Sequence, residues 1–139
     1  MDHVILEKTD AWVFLAIGAG PFGRTSLTYV MSFLDYLNRT MPTEPEFVAS
    51  VRRLGAAGFI DVSPKGFKQT RTGGAFFKRF DKPREGVITT MVRLMGEWDG
   101  LDVPIVNPNF EFTLKPDEWQ SALDDYGARW TKRLAKIRK

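Results

Sequence analysis

The stretch EFVASVRRLGAAGFIDVSPKGFKQTRTG, Glu46–Gly73, decides the fold. In its first half Phe47, Val48, Val51 and Leu54 recur every three or four residues, the spacing of an apolar helical face. Gly58 then stands where a helix stops, because a C′ residue favours the left-handed conformation that glycine adopts freely. Phe59-Ile60-Asp61-Val62 reads as a short strand, Ser63-Pro64-Lys65-Gly66 as a turn, and Phe67-Lys68-Gln69-Thr70 as the returning strand. A helix feeding a β-hairpin with a basic tip is therefore expected.

The helix before the hairpin is also signalled at its start. Thr43 and Glu46 have capping-box spacing, in which each side chain satisfies a free backbone N–H of the first turn. Pro45 fits in that turn because its missing N–H costs nothing there. Upstream, Thr9 or Asp10 is expected to cap a first helix with the apolar body Ala11 to Ile17. Thr25 or Ser26 is expected to start a second, with Leu27, Val30, Met31, Leu34 and Leu37 at helical spacing. Downstream, Thr72 to Phe80 reads as a short helix and Val87 to Trp98 as an amphipathic one. Asp102 to Val106 and Phe110 to Leu114 are expected to pair as a second hairpin around Asn107-Pro108-Asn109. A last helix is expected from near Pro116, with Trp119, Leu123, Tyr126, Trp130, Leu134 and Ile137 along one side. The expected class is mainly α with a small β component (α+β), one domain over residues 1–139. A core at 9–80 is followed by a helical extension with a possible hairpin at 84–139.

At 139 residues the chain is long enough to bury a core without staples, and its 43% hydrophobic and 27% charged residues are ordinary for a globular protein. It has no cysteine, which excludes disulfides, thiolate metal sites and a cysteine nucleophile. The acidic, mixed start MDHVILEKTD is unlike a signal peptide, and the early apolar run AWVFLAI is far shorter than a membrane span. A cytoplasmic protein without a membrane partner is expected. The net charge of +3 hides a segregation: residues 65–84 hold seven basic groups against one acidic, 85–127 two against nine, and 128–139 six against none. Such zones suit an anionic partner, unless the fold pairs them with one another.

Three helices and then a hairpin is the element order of a winged helix-turn-helix domain. From about Thr9 to Phe80 the sequence resembles that superfamily, in the manner of bacterial MarR-like and PadR-like regulators. VRRLGAAGFIDV resembles the run from the third helix into the first wing strand. GFKQTRTGG resembles the second wing strand entering the next helix. The resemblance implies a non-catalytic transcriptional regulator that binds double-stranded DNA. Thr43, Ser50, Arg52 and Arg53 would be outward on the third helix, and Lys65, Lys68 and Arg71 would be wing contacts. Arginine can read a guanine edge and lysines can neutralise phosphates. Regulators of this type commonly dimerise through terminal helices, so the 119–137 stripe either pairs across a two-fold axis or folds back on the core. The acidic first turn, Glu44 and Glu46, favours a rival reading: a protein–protein interaction module that keeps the scaffold without binding DNA.

A third reading rests on GAGPFGRT, where Gly18, Gly20 and Gly23 with Arg24 and Thr25 approach a phosphate-binding loop. Arginine stands in place of the P-loop lysine, and no βαβ context follows, so a loop between helices is the better reading. His3 is the only histidine and has no serine or carboxylate at a telling spacing. Glu97, Asp99 and Asp102 do not follow an EF-hand loop. No catalytic residue, metal ligand or cofactor is expected.

Overall fold

The computed structural model describes residues 2–20 and 23–137. The described residues form an α+β fold of six helices and two small antiparallel sheets. The order is β1 (His3–Ile5), α1 (Lys8–Gly18), α2 (Leu27–Asn38), α3 (Glu44–Ala56), β2 (Ile60–Ser63), β3 (Gly66–Gln69), α4 (Arg71–Lys78), α5 (Val87–Trp98), β4 (Asp102–Pro104) and α6 (Glu118–Ile137). No described helix is long and apolar enough to cross a membrane.

Helix α1 is the centre of the molecule. Ala11, Trp12, Val13, Phe14, Ala16 and Ile17 are all buried, as expected of a helix apolar on every side. It packs against α2, α3 and α5. Its start differs from the expected Thr9 or Asp10. Glu7 is the N-cap, and the Asp10 carboxylate, in the first turn, accepts from the Glu7 N–H at 2.8 Å. Asp10 therefore serves the helix from inside it, and it is fully buried.

Helix α3 begins and ends as its local sequence dictates. The Thr43 hydroxyl accepts from the Glu46 N–H at 3.2 Å, and the Glu46 carboxylate accepts from the Thr43 N–H at 2.9 Å. At the far end Gly58 takes φ +78°, and the Phe59 N–H donates to Leu54 O at 2.9 Å. The hairpin pairs Ile60 with Gln69 through Ser63 with Gly66, leaving Pro64 and Lys65 at the tip. Between α1 and α2 the chain touches this hairpin once more. Thr25 N–H donates to Phe67 O at 2.7 Å and Phe67 N–H to Thr25 O at 2.8 Å. Gly66 permits the approach: its φ is +126°, and a Cβ there would lie 2.4 Å from Thr25 O.

The expected second hairpin does not form. Asp102–Pro104 pairs instead with the N-terminal strand, His3 opposite Pro104 and Ile5 opposite Asp102. Residues 110–114 contain no strand. Their alternating Phe110, Phe112 and Leu114 pack as an extended segment on α3 and the hairpin. Phe110 covers Gly55, and the Phe112 ring lies 6.4 Å from Phe47 and 5.7 Å from Phe67.

Two aromatic clusters organise the core. The fully buried Trp98 on α5 has the rings of Phe14, Phe59, Phe76 and Phe80 between 5.2 and 6.4 Å from its own. Phe47 on α3 meets Phe67, Phe112 and Trp119, the last at 5.1 Å. This second cluster ties together α3, the hairpin, the extended segment and α6.

A clasp at the start of α5 makes stability depend on acid. Arg93 donates to Glu85 through Nε and Nη2, and the Thr90 hydroxyl donates to it at 2.7 Å. The Arg93 hydrogen bonds, then Thr90, hold the Glu85 carboxyl down to about 2. A depressed carboxyl contributes stability that is complete above its unfolded value and is lost as pH falls through the folded one. Glu85→Gln is therefore expected to melt below wild type at neutral pH, with the gap closing between about pH 4.5 and about pH 2. Parallel melting curves across that window would show that the clasp contributes nothing.

Candidate functional site

The seven residues expected to form one DNA-binding surface do not form one. Thr43 is exposed, and its hydroxyl is engaged as the α3 cap. Ser50 is fully buried, and its hydroxyl accepts from Arg53 Nη2 at 3.3 Å. Its expected outward position is thus corrected. Arg53 is likewise turned inward: Nε and Nη2 donate to the Asp10 carboxylate at 2.8 and 2.9 Å, and Nη1 lies 2.6 Å from Glu7 Oε2. Burial opposes charge on this guanidinium, but the Asp10 hydrogen bonds and the two carboxylates outweigh it and raise the Arg53 pKa. A buried carboxylate needs such a partner, and Arg53 supplies it in bidentate form.

Arg52 is exposed, but its Nε donates to Phe112 O at 2.9 Å, so it fastens the extended segment onto α3. The same segment donates Val106 N–H and Asn107 N–H to Ala56 O. With Phe110 over Gly55 and Trp119 against Phe47, the chain's own residues 105–119 pack along one flank of α3, while Glu44, Pro45, Glu46 and Arg52 stay exposed.

The hairpin cations separate as well. Lys65 lines a groove with Glu111, Lys115 and Glu118, on the side of the extended segment. Lys68 and Arg71 line a different depression, beside Asp61 and Thr70. Arg71 and Lys78 share a face of α4 by helical spacing. All seven cations of residues 65–84 are exposed, and none forms an ion pair among the described residues. Elsewhere arginines meet acids: Arg24 with Asp61, Arg53 with Asp10 and Glu7, Arg93 with Glu85 and Glu97, Arg129 with Asp125. The basic zone at 65–84 is thus left without direct ion pairs among the described residues.

Other candidates resolve into structural roles. Pro21 and Phe22 of GAGPFGRT lie outside the described residues. Arg24 of that motif clasps the hairpin, pairing with Asp61 and donating to Gly66 O at 3.2 Å. His3 sits in β1, with Nδ1 2.9 Å from Asp102 Oδ1. Glu97 pairs with Arg93, and Asp99 accepts from Lys8 N–H. Among the described residues no group of three or more possible metal ligands is assembled.

The stripe on α6 divides. Trp119 is buried, and Leu123 and Tyr126 are half-buried against the chain's own core and α2. Trp130 and Ile137 remain 51% and 74% exposed, with Leu134 half-buried between them. The full six-residue stripe is therefore not available as a dimer face.

Sequence reasoning missed the Asp10–Arg53 pair, which spans 43 residues, and the groove between α2 and α6. The cation-rich tail was the available signal for the groove, but nothing local places Tyr29 and Tyr36 beside it. Comparison with protein-family models, with curated proteins and with solved structures returned no match.

Proposed function

We propose that this chain is a non-catalytic domain of winged-helix type that binds duplex nucleic acid through its phosphate backbone, along the hairpin–α4 edge. Three helices, a bridge from the first connection to β3, and the hairpin support the winged-helix reading. The observation that carries the functional reading is the unpaired, exposed basic zone of Lys68, Arg71 and Lys78. The position of α3 sets its limit. With Ser50 buried and Arg53 held by Asp10, neither of the two side chains expected to read bases is free to do so. Backbone contacts without base contacts position a protein but do not select sequence.

Titration of labelled duplex DNA at several salt concentrations tests this. Three phosphate contacts give a log–log salt slope of about −2.7, at roughly −0.9 each. Lys68→Gln/Arg71→Gln is expected to flatten it by about 1.8, and a scrambled duplex to bind equally well. Strong preference for one sequence would overturn the backbone-only limit. Absence of binding even at low salt would favour the second reading, a protein-interaction module on the same scaffold. The exposed acidic first turn of α3, Glu44 and Glu46, which repels phosphates, is the observation that favours that rival.

A further inference from the structure

On the side of α2 facing the end of α6 lies an open groove of about 560 Å³. Its walls carry the aromatic rings of Tyr29, Tyr36, Tyr126 and Trp130, and among the described residues no Leu, Ile, Val or Met lines it. Tyr36 and Trp130 are 63% and 51% exposed. Among the described residues four cations border it: Arg129, Lys132, Arg133 and Lys136. The one acid, Asp35, already accepts the Tyr126 hydroxyl. Arg129 is also occupied, lying 5.2 Å from the Tyr29 ring centroid and pairing with Asp125 at 3.3 Å. Lys132, Arg133 and Lys136 form no ion pair among the described residues.

We propose that this groove binds single-stranded nucleic acid, stacking bases on Tyr36 and Trp130 and holding phosphates with Lys132, Arg133 and Lys136. Aromatic faces bordered by cations are what a single strand requires. Every base presents a π-face, and the backbone carries a negative charge at each step. A duplex hides its base faces in its own stack and cannot use the rings. An acidic peptide matches the charge, but an amphipathic helix seats aliphatic anchors in an apolar groove, and these walls contribute rings, cations and the hydroxyls of Thr28 and Ser32. Sugar–phosphate and base are common to RNA and single-stranded DNA, so the inference names that shared chemistry. It is independent of the duplex reading, because the groove and the hairpin–α4 edge share no residue.

The test is fluorescence anisotropy with labelled oligo-dT and oligo-rU of about twelve nucleotides, within the usual single-strand site sizes. The protein carries Lys68→Gln/Arg71→Gln, so that the hairpin edge is removed from the measurement. Both strands are expected to bind more tightly than a duplex of equal length. Three free cations give a salt slope of about −2, at roughly −0.7 each. Tyr36→Ala and Trp130→Ala are each expected to weaken binding about tenfold, the loss of one stacked base. Lys132→Gln/Lys136→Gln is expected to flatten the slope by about 1.4. Trp130 is the one exposed tryptophan, so quenching of its emission by the strand, absent in Trp130→Phe, reports stacking directly. Preference for oligo-rU assigns RNA, preference for oligo-dT assigns DNA, and equal affinity assigns both. No binding at low salt overturns the inference, as does binding indifferent to all four groove substitutions. A Glu/Phe peptide that binds through those same residues, where the oligonucleotides do not, also overturns it and gives the groove to a protein partner.

Discussion

Arg53→Ala is expected to cost about 3–5 kcal/mol of folding stability, the range for removing one partner of a buried ion pair. The Asp10 carboxylate has no exposed surface and takes two hydrogen bonds from Arg53. Without the guanidinium it is left buried and charged, held only by the Glu7 N–H. Arg52→Ala is the comparison, since that exposed side chain makes one hydrogen bond to Phe112 O and its loss costs about 1 kcal/mol. Urea unfolding of the two variants decides between the roles. If Arg53→Ala lies within about 0.5 kcal/mol of wild type, as ordinary surface substitutions do, the guanidinium is free for a ligand and the inward placement is wrong.

Phe47→Ala is expected to lose a similar amount, about 3–5 kcal/mol, through the cavity left by a fully buried ring. Its effect reaches beyond α3, because the ring contacts Phe67, Phe112 and Trp119. The extended segment should loosen first. Limited proteolysis is expected to cut within residues 105–116 in Phe47→Ala under conditions that leave wild type intact. Trp98→Ala empties the other cluster at comparable cost but does not touch that segment. Equal cleavage in both variants would show that Phe47 does not hold the cover in place.

The parts of the fold that were legible in the sequence are those that local chemistry decides. Thr43 and Glu46 close on each other within four residues, and Gly58 ends the same helix by its own backbone freedom. The hairpin follows from a turn and two short apolar runs. What was not legible depends on partners distant along the chain. Asp10 has the composition of a cap, and only the arrival of α3 makes it the anchor of Arg53. Asp102–Pro104 pairs equally well, by pattern, with a downstream strand or with the N-terminus, and tertiary packing selects His3–Ile5. Arg52 and Arg53 sit side by side and look equivalent, but helical rotation sends one to Phe112 and the other to Asp10. The unpaired zone at 65–84 was visible as composition. That none of these cations forms an ion pair among the described residues depends on the tertiary fold.

The β1–β4 pairing bears on how the molecule can be dissected. Leu6 N–H donates to Leu101 O, and Gly100 N–H donates to Leu6 O, beside the strand pair. Helix α1 buries Phe14 against Trp98 of α5. Residues 9–80, expressed alone, would expose that central helix to water along the flank α5 normally shields. Residues 9–80 thus share their central helix with the half that follows them, and the excised fragment is expected to melt well below the full chain.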